Sequence, residues 1–303
     1  MKQSVLITGA AGFFGQHLTQ YLSSHAHVIA GVRQPIDGIG ETQVLGDLVS
    51  LPDLNATLER VDVVVHCAAR AHVLREEVDD PLPLFMAVNR DATLHLAQQA
   101  AAAKVKRFIF LSSIGVNGNQ TESTPFRADD VPAPHSPYAM SKLAAETELA
   151  KISAVTGMEI VILRPALIIG PRPVGNLAVL ARMISKGVPL PFALASENRR
   201  SLVKAATLAD LIRVCLTHPN APGTPLLVAD KTPMSTRGIL EMLAVDTGQT
   251  LRLVPVPIPL LRFALRTIGY KKMDQQLFGN LEVDITATSA RLNWAPPPAE
   301  YTR

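Results

Sequence analysis

Along the first half of the chain, apolar residues fall in short unbroken runs, each cut off by glycine or a polar turn. Ser4 to Thr8 (Ser-Val-Leu-Ile-Thr) is one such run and stops at Gly9. A run without polar alternation predicts a strand covered on both faces, as in a parallel sheet. His27 to Val32, Thr42 to Leu45, Val61 to His66, Arg107 to Leu111 and Glu159 to Leu163 repeat the pattern. Between them the period becomes helical. Phe14, Leu18, Tyr21 and Leu22 share one face of Phe13 to Ser24, and Leu82 to Ala103 and Pro137 to Val155 predict two longer helices. Strands alternating with helices predict an α/β fold built on a doubly wound parallel sheet. Six strands within about 165 residues match the size of a dinucleotide-binding half.

After Arg164-Pro165 the texture changes. Pro171, Pro173, Pro189 and Pro191 break the regularity, and shorter elements follow. The expected division is a dinucleotide-binding domain over 1–165 and a smaller substrate-binding domain over 166–303, with about 199–230 returning to the sheet. Val254 to Leu265 is apolar but interrupted by Pro255, Pro257, Pro259 and Arg262. It predicts a proline-rich lead into a core-facing helix, with a peripheral membrane contact as the alternative.

Composition narrows the function classes. The 303 residues are 48% hydrophobic and 18% charged, with a net charge of +3 and no basic run, which argues against nucleic acid as a main partner. Cys67 and Cys215 form no CxxC pair and no disulfide framework, and no His/Cys cluster predicts a metal site. The start Met1-Lys2-Gln3 runs directly into a strand without a signal-peptide pattern. No apolar run is long enough to span a membrane. The expectation is a cytoplasmic protein.

Two motifs carry chemistry. Gly9, Gly12 and Gly15 follow the first strand and open a helix, the context in which glycines let a backbone approach a pyrophosphate. The helix N-terminus then offers free N–H groups and partial positive charge. Phe13 and Phe14 sit at that entrance. An acidic residue usually ends the second strand to hold the adenine ribose; here Val32 stands there and Arg33 follows. A guanidinium pairs well with a 2′-phosphate, so Arg33 leans the cofactor from NAD toward NADP, unless it is a solvated loop arginine. Asp47 and Leu48 are read as an adenine contact, the alternative for Asp47 being a turn aspartate. The second motif is Tyr138 with Lys142, one helical turn apart on one face. A phenol titrates near pH 10 and becomes a useful base when a neighbouring ammonium favours phenolate. Together the motifs predict hydride transfer with a nicotinamide cofactor.

The ordered set Thr8-Gly9-xx-Gly12-xx-Gly15, His66-Cys67-Ala68-Ala69, Ser112-Ser113, Tyr138-xxx-Lys142, Arg164-Pro165, Gly170-Pro171 and Leu292-Asn293-Trp294-Ala295-Pro296 resembles the extended short-chain dehydrogenase/reductases. The likeness is to their nucleotide-sugar epimerase/dehydratase group, with a Rossmann-like sheet. It implies Tyr138 as acid/base, Lys142 as its partner and a ribose contact, and Ser113 holding the reacting oxygen. It places Ser112, Asn89, Cys67, Ala68, Ala69 and Pro165 beside the cofactor. His66 is read as a satisfied core histidine. Ile114-Gly115 replaces the acidic pair of family dehydratases, which argues against dehydration. Asn117 replaces a tyrosine common in the epimerases. On the substrate side the resemblance implies Asn176, Leu177 and Arg200 at a sugar diphosphate. It points to a C4 epimerase of a UDP-hexose or UDP-N-acetylhexosamine in surface-polysaccharide pathways, working as a homodimer. The alternatives are a reductase of a UDP-4-keto-6-deoxy-hexosamine and a dinucleotide-sensing regulator.

Overall fold

The apolar runs pair in parallel, each strand hydrogen-bonded to a neighbour far away in sequence. The computed structural model describes residues 2–71, 78–170, 172–267, 269 and 271–297, without the side chains of Lys271 and Lys272. Pro171, noted in the sequence, lies outside them. Strands β1 (Ser4–Thr8), β2 (His27–Val32), β3 (Thr42–Val44), β4 (Val63–His66), β5 (Arg107–Leu111), β6 (Glu159–Pro165) and β9 (Leu226–Val228) form one seven-stranded sheet in the order β3-β2-β1-β4-β5-β6-β9. Every pairing is parallel. A short sheet of β7 (Leu167–Ile169) and β8 (Leu202–Lys204) stands apart.

Helices cover both faces of the large sheet, as a parallel sheet requires. On one face α1 (Phe13–Leu22) and α7 (Ala205–Cys215) bury Leu18, Leu22, Leu208 and Leu211 against Val5, Ile7 and Val65. On the other, α4 (Ala92–Ala102) and α5 (Pro137–Thr156) bury Leu96, Ala97, Ala145 and Leu149 against Leu6, Val64, Phe108 and Phe110. Each fully buried Leu, Ile or Phe contributes about 1.5–3 kcal/mol, so the two layers hold the sheet rigid. The remaining helices are α2 (Asn55–Leu58), α6 (Gly175–Ser185), α8 (Thr236–Thr247), α9 (Ile258–Thr267), α10 (Lys271–Phe278) and α11 (Thr286–Leu292). α6 and α8 enclose a separate core of Leu177, Ile184, Leu190, Phe192, Leu240 and Leu243.

Three differences from the sequence reading have local causes. β4 begins at Val63 because Val61 closes a turn onto Leu58 and Asp62 bonds its N–H to the Ser4 carbonyl. The predicted long helix contains α3 (Leu82–Met86), a wide turn with π-type bonding over Ala87–Asp91, and then α4; such turns concentrate at functional sites. α9 has no buried residue. Ile258 and Leu261 pack on the third core, yet Leu260 and Phe263 are 58% and 66% exposed. The core-facing reading therefore holds for one side of that helix only. No helix among the described residues is long and apolar enough to cross a membrane.

Candidate active site

Sheet order reverses between β1 and β4, and the carboxyl ends of these strands carry the glycine loop and the His66–Ala69 segment. Such a reversal opens a crevice at the strand ends. Gly9 has φ +69°, and a Cβ there would lie 2.7 Å from the Ala68 nitrogen. A Cβ at Gly15 would lie 2.1 Å from the Gly9 carbonyl oxygen. The loop and the end of β4 thus approach as only glycine allows. α1 starts at Gly12 with no side-chain cap and no acidic residue in its first turn. Its leading N–H groups and dipole are left for an anion. These features fit a dinucleotide pyrophosphate. Phe14 is in the core, while Phe13 is partly buried and its ring backs onto Gly170.

A chain of hydrogen bonds fixes the floor of the crevice. Thr93 Oγ1 donates to the Asn89 carbonyl at 2.9 Å, so its oxygen accepts from His66 Nε2 at 2.9 Å. His66 Nδ1 then accepts from Thr8 Oγ1 at 2.7 Å. Burial pushes this imidazole down to about 3, which keeps it neutral. It is a satisfied core histidine.

Asn89, wholly buried in the π turn, spends its amide internally. Its oxygen accepts from the Arg70 N–H at 2.8 Å, and its nitrogen donates to the Arg70 carbonyl at 3.1 Å and to Ser141 Oγ at 3.0 Å. Both amide donors are taken, and the side chain forms a clamp joining the segment after β4 to α5. Ser112 is likewise bonded within the protein. Its hydroxyl donates to Glu146 Oε1, inside a buried network where Arg164 grips Glu146 with a 2.6 Å Nη2–Oε2 bond and donates to Asn117 Oδ1 at 3.0 Å. Sequence reasoning does not single out Glu146 and Arg164 as site residues. The available signal is Glu146 one turn after Lys142, where an acid on an inward face requires a cation. Asn117, in the place of the epimerase tyrosine, is buried beneath the site.

Ser113 follows β5 and caps the next turn, its Oγ accepting from the Gly115 N–H at 3.1 Å. Ser136 caps α5 and sets the register of Tyr138 and Lys142. The Ser113 hydroxyl faces the Tyr138 phenol and favours phenolate, but burial dominates and pushes the phenol up to about 12. Lys142 Nζ donates to the Leu111 carbonyl at 2.8 Å, lies 4.5 Å from the Phe110 ring centroid and 5.9 Å from that of Tyr138, and is itself brought down to about 8 by burial. Lys142 also feels Cys67, whose thiol burial pushes up to about 12, an inert small side chain. Phe85 packs edge-on to Tyr138 at 6.3 Å.

The remaining expected residues sit as follows. Arg33 is 70% exposed and 3.8 Å from Asp47, whose carboxylate accepts from the Val49 N–H and so caps a turn over Leu48–Ser50. Leu48 packs on the second core and Pro165 ends β6, while Ala69 is exposed near the crevice. Leu177 is in the third core. Asn176 donates to Gln276 at 2.6 Å. Arg199 is paired outward with Glu282 at 2.8 Å, whereas Arg200 turns inward to the Gly279 and Gln275 carbonyls at 3.1 and 3.4 Å. Among the described residues no carboxylate pairs with Arg200, and desolvation lowers its pKa. No cluster able to hold a metal is found among them.

Comparison with known proteins agrees with this geometry. Residues 5–228 match the model of the NAD dependent epimerase/dehydratase family. A Vibrio cholerae protein named UDP-glucose 4-epimerase is 39% identical over 301 residues, covering 98% of this chain and 92% of its own. An Escherichia coli O157:H7 protein named N-acetyl-alpha-D-glucosaminyl-diphospho-ditrans,octacis-undecaprenol 4-epimerase is 26% identical over 86% of this chain and 77% of its own. The crystal structure of UDP-glucuronic acid 4-epimerase from Bacillus cereus, in complex with UDP-glucuronic acid and NAD, superposes with a TM-score of 0.77 at 24% identity, covering 97% and 94% of the two chains. With its glycine crevice, its Tyr138/Lys142 pair and a family match over most of its length, the chain is an enzyme of the NAD-dependent epimerase/dehydratase family.

Proposed function

We propose that this enzyme inverts C4 of a UDP-linked hexose or N-acetylhexosamine through a 4-keto intermediate, with Tyr138 as acid/base. The observation that carries the reading is the convergence of Tyr138, Ser113 and Lys142 at the carboxyl end of β5, beside the glycine crevice. Tyr138 takes the proton from the C4 hydroxyl while Ser113 holds that oxygen by a hydrogen bond. A dinucleotide held at the glycine crevice would supply the acceptor and later the donor of the C4 hydride. The resulting ketone turns within the site and receives its hydrogen on the opposite face, and Tyr138 returns the proton. Lys142 keeps its ammonium between Leu111, Phe110 and the phenol, where a small swing brings it nearer the phenolate.

Arg200 supplies the charge for the sugar diphosphate. A half-buried guanidinium bonded only to carbonyls gains most from an anion. That ligand chemistry is common to UDP-sugars and to the diphospho-undecaprenol sugar named for the Escherichia coli relative. NAD is the preferred cofactor, because the Asp47 carboxylate beside Arg33 would repel a 2′-phosphate. Homodimerisation runs through α4 and α5, whose outer faces share an apolar groove including Leu94, Ala101, Ile152 and Val155, the last 86% exposed.

Tyr138→Phe is expected to lower kcat at least about a thousandfold, consistent with the loss of a general base, and to leave dinucleotide affinity within about threefold. Turnover near the native rate would remove Tyr138 from the chemistry. Interconversion of C4 epimers by the purified protein without added cofactor separates this reading from the 4-keto-sugar reductase, which would consume NADPH stoichiometrically.

A further inference from the structure

The net charge of the chain is +3, yet the segment from Gln249 to Gly279 contains Arg252, Arg262, Arg266, Lys271 and Lys272 against the single acid Asp274. This segment is the α9–α10 hairpin with its lead-in, and its formal excess of four basic charges exceeds the net charge of the whole chain. Asp274 is 3% exposed and bonds both Arg262 (2.8 Å) and Arg266 (2.6 Å), whose side chains stay 41% and 55% exposed. One carboxylate under two guanidinium groups leaves the hairpin positive.

Its apolar surface is divided. Ile258, Leu261 and Leu277 pack inward on the third core. Leu260, Phe263 and Ala264, at i, i+3 and i+4 along α9, are exposed. Phe263 is the one exposed phenylalanine among the described residues. Val254 in the lead-in and Met273 on α10 are 43% and 38% exposed. An outward stripe of Leu and Phe flanked by arginines is the pattern of a helix that lies in a membrane interface, and basic residues beside it are drawn to anionic headgroups.

We propose that the α9–α10 hairpin docks on an anionic lipid bilayer. Charge selects this occupant: a second copy of the chain would set two positive hairpins face to face, whereas an anionic surface complements them. Docking does not depend on the reaction catalysed, but it bears on the site. α10 ends at the carbonyls of Gln275 and Gly279 that hold Arg200, and Gln276 holds Asn176. The diphosphate side of the cleft would then open next to the headgroups.

The test is flotation of the full chain with vesicles of phosphatidylcholine containing phosphatidylglycerol, and with phosphatidylcholine alone. The bound fraction is expected to be at least about tenfold higher on the anionic vesicles and to fall with salt. Replacing Leu260→Ser together with Phe263→Ser should abolish binding while turnover and melting temperature stay near native. Equal flotation of that variant, or no flotation of the native chain, would overturn the proposal. So would a lipid-free native oligomer that the double variant dissolves, since the face would then belong to a second copy. If the double variant fails to fold, Leu260→Trp serves instead. Its emission should shift to the blue with anionic vesicles only, over the background of the buried Trp294, and an unshifted spectrum would equally overturn docking.

Discussion

Arg164, near the carboxyl end of β6, and Arg200, just before β8, are both drawn out of water but have different company. Arg164 is clasped by Glu146 through three hydrogen bonds and by Asn117 through a fourth, and Ser112 completes the carboxylate. Arg200 has only carbonyl oxygens at the end of α10. The first charge is balanced within the fold. The second is balanced only in part, and its desolvation is a standing cost that an anion would relieve. The contrast separates a cation that holds the site together from one that waits for a ligand.

Three substitutions would break or sharpen that contrast. The largest effect is expected from Arg164→Met, which leaves the Glu146 carboxylate buried without its cationic partner and with only the Ser112 hydroxyl to bond it. The loss of stability should be about 3–5 kcal/mol, read by denaturant unfolding, and pairing it with Glu146→Gln should recover most of it. A loss below about 1 kcal/mol would mean that the pair is not a structural clamp. Arg200→Gln should behave oppositely. Stability changes little, while UDP binding by calorimetry weakens about tenfold or more, equivalent to about 1.4 kcal/mol, and the thermal stabilisation that UDP gives the native enzyme shrinks. Unchanged UDP affinity would leave Arg200 without its assigned ligand.

The smallest effect concerns Lys142, a third buried cation. Its folded pKa of about 8 lies below the ordinary lysine value, so from pH 8 upward the unfolded chain binds more protons than the native one. Stability therefore rises with pH across this window, and below it the full penalty applies. Lys142→Met should remove that rise and stabilise the protein at pH 7 by on the order of 1 kcal/mol, at the expense of turnover. Melting curves between pH 7 and 10 that keep the same slope in both proteins would contradict the assignment.

These residues also show where the sequence is readable. β1, β2 and β5 were legible to the residue because strands covered on both faces print as plain apolar runs. The Tyr138–Lys142 pair was legible because helical spacing is local. The true acceptor of Lys142, the Leu111 carbonyl, lies 31 residues away on another element, and nothing local announces it. The internal partners of Asn89 and Ser112 were not legible, since a polar side chain turns to whichever unsatisfied group burial leaves nearby. In α9 apolar residues occur at 258, 260, 261, 263, 264 and 265, most of the circumference, so periodicity could not say which side faced the core.

The π turn over Ala87–Asp91 has a consequence for length variation in this helix. One residue more or less rotates everything downstream by about 100°. Upstream, the phase is pinned by Phe85 against Tyr138; downstream, by Leu96, Ala97 and Ala100 against the sheet. The widened turn absorbs the mismatch between the two settings and carries Asn89 at the seam. A single-residue deletion there would close the widened turn into a regular one and take Asn89 from its seam, so the count of residues between the two pinned settings, more than their identity, holds that clamp in place.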